Sequence, residues 1–150
     1  MIFKVLSVSS LIVIIDRLTK GIVLKNYSEG ESVGVIPGFF HLTLVMNTGG
    51  AFGLFKGYSV IFTISSVLII ILICVYIWRN RCKDLLILIA LGLITGGAAG
   101  NLIDRVAFGY VIDFLDFRIW PVFNIADASI TVGAFILAMR LMIDKKCCTT

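Results

Sequence analysis

Five short polar motifs lie beside long apolar runs in this chain, and each carries an Asp or Asn where lipid would penalise it. They are Asp16-Arg17-Leu18-Thr19-Lys20, Asn47-Thr48-Gly49-Gly50-Ala51-Phe52, the segment 96–105 ending in Asn101-Leu102-Ile103-Asp104-Arg105, Val111-Ile112-Asp113-Phe114, and Phe123-Asn124-Ile125-Ala126-Asp127. Ionisable groups in or next to a membrane span are costly, which makes them functional suspects by default. Here they are carboxylates and carboxamides, with no His, Ser or Cys constellation as a rival. That balance points to carboxylate acid–base chemistry at a membrane surface.

In an extended stretch over residues 110–120 side chains alternate faces. Asp113 then shares a face with Leu115 and Phe117, while Asp116 shares one with Arg118 and reads as a surface ion pair. A charge on an apolar side without a local cation costs energy unless something uses it, which singles out Asp113. Asp127 has two readings that local pattern leaves even: Asn124 caps a helix whose first turn holds Asp127, or Asp127 does chemistry. Shared location with Asp113 favours the second. Two carboxylates in one site split their pKa values, so one stays protonated near neutrality while the other ionises.

The remaining motifs have plainer explanations beside functional ones. Gly96 and Gly100 make a G-x-x-x-G spacing, Gly97 lying between them, and close helix packing accounts for it. Asn101 is placed to bond across a bundle. Asp104 is an acid at a helix C-terminus, where the dipole disfavours it, with Arg105 as the nearest partner for an ordering network. Asp16 and Lys20 are four apart and pair along one helix face, which explains their charge but not their depth. The Asn47 motif lacks the spacing of a phosphate loop, and its glycines permit close backbone approach. His41, the single histidine, reads as an interfacial strand residue. Cys74, Cys82, Cys147 and Cys148 show no metal or redox spacing, so no metal or cofactor is expected.

The elements that must position these groups are membrane helices. The chain is 59% hydrophobic and 15% charged, far from ordinary soluble usage, and its 150 residues fit a single domain. Residues 58–78 and 85–103 contain no Asp, Glu, Lys or Arg and are long enough to span a bilayer. Residues 2–24 and 126–143 complete four expected spans, although they carry Asp16, Arg17 and Lys20, or Asp127 and Arg140. The first imitates a signal peptide but meets Asp16 and Arg17 with no small-residue cleavage site. Lys4, the basic loop 79–83, and Arg140 with Lys145 and Lys146 then share one face, which the positive-inside rule makes cytoplasmic, with both termini. The net charge of +4 is spent on topology, and a nucleic-acid partner is not expected. Tyr76 and Trp78 fall at the inner interface, Tyr58 and Trp120 at the outer. Residues 33–36 and 39–46, about Pro37-Gly38, read as two short outer strands.

Together and in this order, the five motifs resemble the lipoprotein signal peptidase family, the bacterial type II signal peptidases. The resemblance covers residues 16–127. It implies an all-α membrane fold of four spans with a small extracytoplasmic β-cradle, and Asp113 and Asp127 as the catalytic pair. It also implies site-supporting or substrate-binding roles for Asp16, Lys20, Asn47, Gly97, Asn101, Asp104, Arg105 and Asn124. The implied substrate is a prolipoprotein whose future N-terminal Cys bears diacylglyceryl, cut just before that Cys. The place would be the bacterial cytoplasmic membrane, the site near its outer face, with membrane lipid as surroundings and a monomer as the simplest state. The competing readings are a transporter subunit using Asp16, Asp104 and Asp127 as a cation path, and a lipid-binding or assembly protein using the strands.

Overall fold

The computed structural model describes residues 1–49, 59–80 and 84–143. Within them the chain forms helix α1 (Ile2–Asn26), strands β1 (Ser32–Ile36) and β2 (Phe40–Asn47), helices α2 (Ser59–Arg79) and α3 (Leu85–Phe108), strand β3 (Val111–Asp116) and helix α4 (Ile125–Ile143). Gly50, Ala51, Phe52, Tyr58, Arg81, Cys82, Lys83, Lys145, Lys146, Cys147 and Cys148 lie outside the described residues.

Among the described residues, α2, α3 and α4 are long and apolar enough to cross a membrane. The distribution of side chains is the reverse of a soluble protein's. Leu6, Leu11, Leu18 and Ile22 on α1, and Val60, Ile64 and Leu68 on α2, face outward, while Asp16, Lys20, Asn101 and Asp104 are buried. Helices in lipid gain nothing by hiding large apolar groups from one another, so small residues and polar bonds make their contacts.

Helix α3 is the hub and packs against α1, α2 and α4. Its start is fixed by Asp84, whose side chain accepts from the N–H groups of Leu86 and Ile87 at 2.9 and 3.3 Å. Asp84 also pairs with Arg140 of α4 at 2.6 Å. Its end is fixed by Gly109 in the left-handed region, φ +82°, whose N–H bonds Arg105 O, the usual way a helix is stopped. Between these ends the glycines set the approach of the neighbours. A methyl group on Gly96 would lie 2.8 Å from Ser9 O of α1, one on Gly97 would collide with Ala126 O of α4, and one on Gly100 would lie 2.8 Å from Asp16 Oδ2. The expected packing role of this stripe is therefore met on two faces, and Gly97 brings the first turn of α4 against α3.

The strands form one antiparallel sheet in the order β1-β2-β3. The expected hairpin is present, with Gly38 at φ +72° in its turn. The expected extension over 110–120 is shorter: β3 ends at Asp116, and Phe123 returns to pair with Leu115. Arg118, at φ +65°, breaks the run. Val23, Leu44, Ile112 and Phe114 form the core that seats the sheet on the bundle.

Gly97→Val is expected to cost about 1–3 kcal/mol by overpacking, read as a lower unfolding temperature in detergent. Gly21→Ala, whose added methyl meets nothing within 4 Å, should instead gain about 0.5–1 kcal/mol through lost unfolded-state freedom.

Candidate active site

The register of the sheet brings the first two groups together. Val45 lies opposite Asp113 and Asn47 opposite Val111, so Asn47 and Asp113 are diagonal neighbours on one face. Asn47 Nδ2 donates to Asp113 Oδ2 at 2.8 Å, and Asn47 Oδ1 accepts from the Gly49 N–H at 2.9 Å. The other oxygen of Asp113 accepts from Asn124 Nδ2 at 2.7 Å.

Asn124 and Asp127 make a reciprocal cap at the start of α4. Asn124 Oδ1 accepts from the Asp127 N–H at 2.9 Å, and Asp127 Oδ2 accepts from the Asn124 N–H at 3.3 Å. The remaining oxygen of Asp127 accepts from Asn101 Nδ2 at 2.7 Å. The cap does not occupy the carboxylate fully: Asp127 and Asp113 both line one cleft of about 260 Å³, with Asn47, Arg105 and the wall 120–123. The capping reading of Asn124 is met, and it coexists with a place for Asp127 in the cleft lining.

The amides are oriented by what stands behind them. Lys20 Nζ donates to Asn101 Oδ1 at 3.2 Å, so the NH2 end of Asn101 must face Asp127. Asn124 spends its oxygen on the Asp127 N–H, so its NH2 end faces Asp113. Lys20 in turn is held by Asp16 Oδ2 at 2.8 Å and Asp104 Oδ2 at 2.7 Å. Arg17 completes the cluster, 2.9 Å from Asp16 and 2.7 Å from Asp104. Two acids and two bases balance, as burial requires. Asp16 Oδ1 also accepts the Ala126 N–H at 3.1 Å, and Asp104 Oδ2 that of Ile112 at 3.2 Å. The cluster thereby pins both α4 and β3.

Two sequence expectations are corrected. Asp104 pairs with Arg17 and Lys20, not with Arg105: neighbouring helix residues point about 100° apart, and Asp104 faces α1. Arg105 instead reaches the cleft, its guanidinium 5.4 Å from the centroid of the Phe62 ring. Asp116 pairs with Arg118 at 3.7 Å as expected, but it is buried, not superficial, and Thr43 Oγ1 donates to it at 2.7 Å. Arg17 was missed as a site residue; its adjacency to Asp16 was the available signal, and only the fold turns it toward Asp104.

Burial, and then the neighbouring charge of Asp127, push Asp113 up to about 7 from 3.8, against the hydrogen bonds from Asn47 and Asn124 and the charge of Lys20. A carboxyl with that value exchanges its proton at neutral pH, the condition for acid–base work.

A raised folded-state pKa means the folded protein holds the Asp113 proton longer than the unfolded chain. Its contribution to stability is therefore full below about 4 and is lost as pH rises through about 7. Asp113→Asn should flatten the pH dependence of the unfolding temperature across that window. Lys20→Met leaves two buried acids with one cation and is expected to cost about 3–5 kcal/mol, measured by thermal unfolding in detergent.

A family model described as Signal peptidase (SPase) II matches residues 8–143. The chain is 43% identical over 136 residues to a protein of Halothermothrix orenii called lipoprotein signal peptidase, covering 91% of this chain and 93% of that one. It is 48% identical over 134 residues to the protein of that name from Moorella thermoacetica, covering 89% of each. A solved structure of a bacterial membrane enzyme superposes with a TM-score of 0.90 at 34% identity, over 97% of this chain and 92% of that one. On these grounds the chain belongs to the signal peptidase II family, membrane proteases of the aspartic type.

Proposed function

We propose that this protein is the peptidase that removes the signal peptide from prolipoproteins, with Asp113 and Asp127 as its catalytic dyad. The observation that carries the reading is the single cleft lined by both carboxyls, each held by an amide donor, with Asp113 raised to about 7. The relatives' name supplies the substrate class: lipoprotein precursors. The further detail, a diacylglyceryl-modified Cys with cleavage just before it, follows the family resemblance.

The reaction needs one proton shared between two acids. The ionised carboxylate takes a proton from water as the water oxygen bonds to the scissile carbonyl carbon. The protonated partner gives its proton to the carbonyl oxygen. Collapse of the tetrahedral diol breaks the C–N bond, with a proton passing to the departing amine of Cys. The pair titrates as a unit, so base and acid are roles within it. Asn47, Asn101 and Asn124 hold the carboxyls in place, and Lys20, itself held by Asp16 and Asp104, orients Asn101. Gly97 admits α4 closely enough for this, and Arg105 contributes positive charge to the cleft. No metal or cofactor enters this scheme.

In the membrane, α1 is the fourth span beside α2, α3 and α4. Mid-helix, its large outward residues Leu11, Ile14, Leu18 and Ile22 are apolar while Asp16 and Lys20 are buried in the cluster, which removes their penalty in lipid. In this reading the protein is a monomer with cytoplasmic termini, and the sheet lies at the outer face of the bacterial cytoplasmic membrane, where a lipid-bearing substrate arrives by lateral diffusion. A cation path through Asp16 and Asp104 is poorly served, because both acids are already neutralised by Lys20 and Arg17.

The test is cleavage by purified protein in detergent of a diacylglyceryl-modified prolipoprotein and of its unmodified form. Processing of the modified form alone is expected. Asp113→Asn and Asp127→Asn should each reduce it by at least about 10³-fold, the scale of a lost general acid or base. Full activity of either variant would sink the dyad. The pH profile should carry an ionisation near 7, ascending if Asp113 is the base and descending if it is the acid.

A further inference from the structure

The cleft wall 120–123 follows an unusual backbone position. Arg118 has φ +65°, and among the described residues it is the one non-glycine with a positive value. Residues other than Gly, Asn and Asp seldom adopt that region, so something must hold Arg118 there. Its own N–H donates to Asp116 Oδ1 at 2.8 Å. Its guanidinium Nη2 donates to Ser32 Oγ on β1 at 2.8 Å.

The bonds beyond Ser32 have only one consistent direction. Thr43 Oγ1 donates to Asp116 Oδ2 at 2.7 Å, which uses its single proton. In the 2.8 Å contact between Ser32 Oγ and Thr43 Oγ1, Ser32 must therefore be the donor. The chain runs Arg118 to Ser32 to Thr43 to Asp116, each link polarising the next, and it closes on the residue that also holds the Arg118 backbone. It crosses all three strands. An exposed arginine paired at 3.7 Å adds little stability by itself. What the loop of bonds does is fix a turn.

That turn decides where the cleft wall stands. Phe117 stacks on Phe123, centroids 5.9 Å apart, and packs against Phe40 at 5.0 Å. Phe123 is bonded back to Phe114 and Leu115. Trp120, Pro121 and Val122 lie between these fixed points and line the cleft that holds Asp113 and Asp127. We infer that Arg118 is a positioning residue for substrate: through Ser32, Thr43 and Asp116 it holds the wall 120–122 against the chain flanking the scissile bond. It acts on substrate binding and leaves the proton transfers to the dyad. The inference rests on the peptidase reading for its kinetic half, while its mechanical half can be read without cleavage.

The chain has two tryptophans, so in a Trp78→Phe background Trp120 reports alone. Arg118→Asn removes the guanidinium but keeps a residue that tolerates the left-handed backbone. Ser32→Ala breaks the same chain without touching the turn, which guards against a misfolded turn variant. Both should raise KM for the lipidated prolipoprotein by about tenfold, the scale of one lost charged hydrogen bond. Their kcat should stay within about twofold, as for lost uniform binding, and acrylamide should quench Trp120 more strongly. A fall in kcat at constant KM, no change in either constant, or unchanged Trp120 quenching would overturn the latch. Wild-type protein that cleaves nothing would sink the peptidase reading instead, with the quenching measurement still deciding the latch.

Discussion

Everything near the cleft depends on one buried ion cluster. Asp16 and Asp104 are wholly buried, and they share Lys20 and Arg17. Charges withdrawn from water are tolerated only when paired and further hydrogen-bonded, and each of these acids also accepts a backbone N–H of another element. Asp16 reaches the second residue of α4, and Asp104 reaches β3. The cluster is thus less a source of net stability than a device for register. It fixes two elements, β3 and α4, that each deliver one carboxyl.

From this cluster outward, polarity passes through asparagines. A carboxamide has an acceptor end and a donor end, so an amide held by a cation on one side must offer N–H on the other. Asn101 transmits the position of Lys20 to Asp127 in this way. Asn124 does the same between the α4 backbone and Asp113. The carboxyls of the pair thereby receive neutral hydrogen-bond donors, while Lys20 and Arg17 stay on the acids behind them. A direct Lys or Arg contact would hold an Asp ionised; amides position it and leave its proton exchangeable, as the value near 7 for Asp113 illustrates.

The bundle supports the arrangement through absence of bulk. In lipid, helices are brought together by close backbone approach and polar bonds, not by withdrawal of apolar surface. Gly96, Gly97 and Gly100 let α1 and α4 come within reach of α3 on two faces. Without that approach Asp16 could not reach across to the start of α4, nor Asn101 to Asp127.

Much of this was legible in the linear chain. Uninterrupted apolar runs show α2 and α3 because crossing a bilayer demands length and composition, and both are local properties. Pro37-Gly38 marks the hairpin, and Asn124 three residues before Asp127 marks a helix start, since turns and caps are also local. The five polar motifs put Asp113 and Asp127 forward as a candidate pair by residue type and order. Partnership was not legible. Asp104 stands beside Arg105 in sequence, yet helix geometry turns them to different neighbours. Asp116 reads as a surface acid until the sheet buries it between Thr43 and Arg118. The wall 120–123 is invisible without the bonds that fold it back. Residue types and local periodicity determined which groups are present and which elements carry them. Only the tertiary structure decided who faces whom, because burial, pairing and the direction of a hydrogen bond depend on residues scores of positions apart.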